Sequence, residues 1–147
     1  MTLNARMTEG EFIKAIDEDV YLATDQDYEE AARVGCAISD NAALMVGYQL
    51  AAGEFDASPE TNLRILEMFE KERPTPVVLA AIPVIKSLLN QEPVPGEETR
   101  KLLEACKEHG NAWCGLGIVL CADMSLEKEC EQIMAGWRRA HGFPEEH

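Results

Sequence analysis

Asn41-Ala-Ala-Leu-Met-Val-Gly-Tyr-Gln-Leu50, Pro76-Val-Val-Leu-Ala-Ala-Ile-Pro-Val-Ile85 and Asn111-Ala-Trp-Cys-Gly-Leu-Gly-Ile-Val-Leu120 begin 35 residues apart and read alike. Laid over one another, Ala43, Val46, Gly47 and Leu50 match Val78, Ala81, Ile82 and Ile85, and then Trp113, Leu116, Gly117 and Leu120. All twelve are apolar or glycine, at offsets that share one helix face. Each stretch precedes a more charged helical segment: Ser58–Arg73, Glu97–His109 and Ser125–Ala140. Alternation of this kind suits helical hairpins that bury their faces on neighbouring hairpins. The expected fold is therefore all-α: a solenoid of about three degenerate hairpin repeats over residues 41–140, period 35, preceded by an acidic helical pair.

Working outward, no stretch alternates strictly enough for a strand. Thr8-x-x-Glu11 is a capping-box pattern that opens a first helix with the stripe Phe12, Ile13, Ile16, Val20 and Leu22. Asp25 or Asp27 is expected to cap a second helix through Ile38, and Asp40 or Asn41 to start a third ending near Gly53. Ser58-Pro59 and Thr75-Pro76 each place a capping side chain before a proline at the first helical position. Pro83 falls inside the fifth helix, where it removes a backbone hydrogen bond and predicts a kink. Gly110 stops the helix Glu97–His109, Asn111 to about Asp123 forms the next, and Ser125 caps the last. Residues 141–147 read as a loose tail. The turns are short, so one domain is expected.

Trp113-x-x-Leu116-Gly117-x-x-Leu120 resembles the opening of a tetratricopeptide repeat, with leucine where that family carries tyrosine. Gly47 holds the matching place one unit earlier, and Pro74 stands near the family's closing proline. Cys130, Met134 and Trp137 would supply the inner face of the last helix, where the family prefers alanine then phenylalanine. The middle unit departs most, with Ile82 replacing the glycine and Pro83 following it. The start Tyr28-Glu29-Glu30-Ala31, with Ala112-Trp113 and the Cys/Leu-rich helix after it, also resembles small chaperones of bacterial type III secretion. That resemblance implies a protein that holds an export subunit.

Composition narrows the function. The chain has 147 residues, 46% hydrophobic and 27% charged, with a net charge of −14. So acidic a surface repels phosphate backbones and anionic lipid, which argues against nucleic acid and membrane partners. Met1–Glu11 has no apolar leader stretch, and a cytoplasmic location is expected. Five cysteines without a Cys-x-x-Cys pair argue against a disulfide framework. Cys106, His109 and Cys114 are too few and too scattered for zinc, so they are assigned to packing and no metal or cofactor is expected. His109 lies at a helix end, His141 and His147 lie near the terminus, and Asp17-Glu18-Asp19 splay around a helix. With no convergent acid–base pair and no phosphate loop, an enzyme is not expected.

Residues 1–30 carry nine acids against Arg6 and Lys14, half of the net charge. Asp17, Asp19, Asp27, Glu29 and Glu30 form a candidate acidic surface, either a solubilising end of the stack or a docking face. Beside the packing face, Leu44, Tyr48, Leu79, Pro83, Cys114 and Ile118 are apolar where a solvated hairpin would be polar. They are the candidate lining of a groove that takes a peptide or amphipathic helix of another protein. The sequence leaves open that the chain's own segment Phe12–Leu22 fills this groove. The second functional reading is an acidic inhibitor or immunity protein that blocks a basic toxin or nuclease.

Overall fold

Three side-chain caps set the early helices. The computed structural model describes residues 3–18 and 22–140. Thr8 accepts from the Glu11 N–H and Glu11 returns the bond, which starts α1 (Glu9–Asp17) as expected. Thr24, not Asp25, caps α2 (Asp25–Ile38), in a second reciprocal box with Asp27. Ser39, not Asp40 or Asn41, caps α3 (Asp40–Ala51) through the Ala42 N–H. Thr24 and Ser39 each stand one position or more ahead of the residues that the sequence favours as caps.

Then follow α4 (Pro59–Glu72), α5 (Pro76–Leu89), α6 (Gly96–His109), α7 (Trp113–Ala122) and α8 (Glu127–Ala140). Ser58 caps α4 with Pro59 at the first helical position, while Thr75 before Pro76 makes no side-chain cap bond. α5 continues through Pro83, whose missing N–H leaves the Leu79 carbonyl without a helical partner. Gly110 adopts φ 87 and ends α6 in the left-handed region, the conformation that favours glycine. Asp123 caps a 3₁₀ turn, Met124–Leu126, through the Ser125 N–H, and α8 starts only at Glu127. No strand occurs among the described residues. Val20, Asp19, His141, His147 and the expected loose tail lie outside them.

The helices that open the three expected units start at Asp40, Pro76 and Trp113, 36 and then 37 residues apart. In a linear stack each unit meets only its neighbours. Here α3 packs against α1, α2 and α5, and directly against α7, while α4 packs on α2 and α5. The packing therefore departs from the expected solenoid, with α3 at the centre of an all-helical arrangement. Asn41 through Gly47 are all buried, so α3 has no solvent face over its first two turns. A helix apolar all round is one that is covered all round. α7 carries no charged residue, yet it is not covered all round: Trp113 is exposed and Gly117, Leu120, Cys121 and Ala122 are half-buried.

The acidic N-terminus of α2 anchors the α3–α4 loop. Tyr28 stacks on Phe55 with ring centroids 4.5 Å apart, and its hydroxyl accepts from the Asp56 N–H. Asp25 accepts from the Ser58 N–H at 3.0 Å. A polar knot holds the opposite end of α2: Asp40 accepts from Arg73 Nη1 and from His109 Nε2, each at 3.0 Å. Arg73 Nε also donates to the Cys36 carbonyl.

Candidate functional site

α1 is nine residues long, too short to persist alone in water. It is fixed by burying Phe12 and Ile16 completely, each worth about 1.5–3 kcal/mol. Ser39 Oγ also donates to Glu9 at 2.6 Å, which ties the helix start to the α2–α3 junction. So placed, α1 does not fill the space between α3 and α7 but walls it. The result is a groove of about 680 Å³. Volumes of roughly 300–1,000 Å³ are usual for ligand sites.

From α1 come Ile13 on the floor and Glu9, Gly10, Lys14 and Asp17 on the rim. From Glu9 to Asp17 is eight residue steps, so the groove runs about 12 Å along α1 at 1.5 Å per residue. From α3 come buried Met45 and half-buried Tyr48. From α7 come Trp113, Cys114 and Gly117, Trp113 being 40% exposed. A Cβ on Gly117 would lie 2.9 Å from Tyr48 Cδ1, so the glycine is what lets the Tyr48 ring lie against α7. Burial, with the Glu54 and Asp17 carboxylates adding, pushes the Tyr48 phenol up.

The residues expected to line a groove separate here. Tyr48 and Cys114 do line it. Leu44 and Ile118 do not: they are 1% and 0% exposed, inside the core, because α3 and α7 pack against each other over the face that was expected to be open. Leu79 is exposed and Pro83 half-buried on α5, which contributes nothing to the groove wall. Trp113 was assigned to the packing face and is instead the most open wall. α7 starts at Trp113, two residues later than the repeat frame, and its N-cap residue Ala112 makes no side-chain cap bond. Met45, Ile13, Glu9 and Lys14 were missed because their role depends on where α1 docks.

The expected acidic surface is largely occupied by internal contacts. Asp27 belongs to the α2 capping box, Glu29 pairs with Arg64, and Glu30 pairs with Arg33. Asp17 alone of the described set stands on the groove rim.

The chemistry available is weak. Burial, chiefly, raises the Cys114 thiol well above its ordinary range, and pushes Cys36 and Cys106 up to about 12. Thiols held protonated are poor nucleophiles and poor metal ligands. His109 uses both ring nitrogens, Nε2 toward Asp40 and Nδ1 accepting the Asn111 N–H at 3.3 Å. Among the described residues, none gather as three or more potential metal ligands, and no helix is long and apolar enough to cross a membrane. A second cleft of about 310 Å³ between α6 and α8 is smaller and carries Glu104, Lys107, Glu129 and Gln132 on its walls. No protein-family model, curated protein or solved structure matches the chain.

Proposed function

We propose that the chain is a non-enzymatic protein-binding module that seats apolar side chains of a partner in the α1–α3–α7 groove. The observation that carries this reading is Trp113, 40% exposed on the wall of a groove floored by Ile13, Met45 and Tyr48. Small-molecule sites add a few convergent polar groups that fix orientation. Here the charged groups stand on the rim, and the side-chain polar atoms left buried without partners, on Asn41, Asn62 and Thr75, belong to residues outside the lining. That distribution favours a large apolar anchor over a small polar ligand.

The mode of docking follows from the elements at hand. Strand addition needs a free sheet edge, and no strand exists among the described residues; a groove between helices suits an amphipathic helix. Gly47 and Gly117, the glycines of the tetratricopeptide resemblance, have their nearest neighbours on α5 and α3. Their Cβ atoms would fall 2.8 Å from Ile85 Cδ1 and 2.9 Å from Tyr48 Cδ1, the close approaches that such glycines serve. The resemblance to secretion chaperones fits the same kind of task, holding a helix of another protein.

The test is a selection of helical peptides from a displayed library, followed by Trp113→Ala. Selected peptides are expected to carry an apolar stripe and to lose binding at least tenfold on that substitution, about 1.4 kcal/mol. Trp113 is exposed enough for the variant to stay folded, which circular dichroism checks. Peptides that bind Trp113→Ala and the parent equally would remove the groove from the function.

A further inference from the structure

We infer that the groove's occupant is a basic amphipathic helix of another protein, two turns of which lie along α1 with lysine or arginine facing its rim. The inference rests on the docking reading above and adds the partner's charge and length.

The length comes from the walls. The groove-lining residues of α1 recur at Glu9, Ile13 and Asp17, one full face of the helix over about 12 Å. Two turns of α-helix rise about 10.8 Å, so a partner seated there presents anchors spaced i, i+3 or i+4, and i+7. Met45 and Tyr48 on α3, and Trp113 and Gly117 on α7, repeat the same three- and four-residue spacing on the facing walls.

The charge comes from the rim. α7 contributes no charged residue, and the one acid of α3, Asp40, is held by Arg73 and His109. The rim charge is therefore that of α1, where Glu9 and Asp17 stand at opposite ends with Lys14 between them. Glu54, just beyond α3, adds its field at the Tyr48 end. Two carboxylates against one ammonium on the rim, with the Glu54 carboxylate acting from outside the lining, favour a cationic partner, and the rim acids stand beside apolar walls where a bound helix would displace water from the pairs. A rim of this kind also disfavours acidic helices by like-charge repulsion.

The test uses three synthetic peptides with one apolar stripe and a polar face of lysine, glutamine or glutamate. The lysine peptide is expected to bind the full chain at least tenfold tighter than the glutamine peptide at about 0.1 M salt, and the glutamate peptide weakest. The gap should close towards about 1 M salt, where the Debye length falls to roughly 3 Å. Asp17→Lys with Glu54→Lys should abolish the preference. Glu67→Lys with Glu70→Lys, exposed positions on α4, changes net charge equally and should leave the preference in place. Equal, Trp113-dependent binding of all three peptides overturns the charge inference and leaves the docking reading standing. A lysine preference that both charge-reversed proteins lose alike assigns it to overall acidity and also overturns the inference. If none of the three binds, both readings fall.

Discussion

The side-chain oxygen of Asn41, near the start of α3, accepts the backbone N–H of Cys114 in the first turn of α7 at 3.0 Å. α7 has no side-chain cap of its own, since Ala112 has no side-chain acceptor, so a residue 73 positions earlier supplies one. Asn41 is 1% exposed, and the bond fixes the two helices that form two walls of the groove. Asn41→Ala leaves a buried N–H unpaired and is expected to cost about 1–3 kcal/mol. A denaturant midpoint that falls with unchanged slope would report it. A cost below about 0.5 kcal/mol would mean that water replaces the cap.

The same pair shows what could be read from sequence. Asn41 was legible as a helix-start residue, because asparagine favours caps. Its actual client was not, because a cap across 73 residues depends on how α3 and α7 meet. Helices and most of their ends follow from local signals such as Thr8-x-x-Glu11, Ser58-Pro59 and Gly110, which act within one turn. The groove depends on docking, and the division of a helix into a packing face and an open face presupposes neighbours on one side only. α3 has neighbours all round, so Leu44 went into the core while Tyr48, four residues on, emerged at the groove.

That division is testable at two positions that the repeat frame treats as equivalent. Ile118 is fully buried, so Ile118→Asp places an uncompensated carboxylate in the core and is expected to unfold the chain at neutral pH. Tyr48 is half-buried on the groove, so Tyr48→Asp should stay folded and lose peptide binding. Circular dichroism and a melting curve for each separate the two. An Ile118→Asp protein as stable as the parent would mean that α7 presents a different face.

Acid should loosen the N-terminal helices through their capping carboxylates. The Ala23 and Thr24 N–H groups, with the Thr24 hydroxyl, hold the Asp27 carboxyl below its ordinary value. Thr8 does the same for Glu11, and Ser58 for Asp25. A carboxyl depressed in the folded state contributes stability that is complete above its unfolded pKa, about 4, and is lost as pH falls through the folded value. Asp27→Ala is therefore expected to be less stable than the parent at pH 7, with the gap narrowing in acid below that pKa. A gap that stays constant through that window would show that the bonds do not distinguish the ionised carboxyl.

The last prediction concerns the contact that shapes the groove. A side chain at position 117 meets the Tyr48 ring, at 2.9 Å to Cδ1 and 3.0 Å to Cε1, before it meets anything else. Gly117→Leu must push that ring outward or part α3 from α7, an overpacking cost of about 1–3 kcal/mol. The helix propensity gained on replacing glycine, up to about 1 kcal/mol, offsets part of it. If the strain is with Tyr48, removing the ring relieves it. Gly117→Leu combined with Tyr48→Ala should then be more stable than the two single losses add up to, with a coupling of about 0.5–3 kcal/mol in a double-mutant cycle. Strict additivity would place the strain elsewhere on α7. Relief of stability without recovery of peptide binding is the expected outcome for the double variant, since the leucine then occupies the space that the Tyr48 wall and the partner's anchor share.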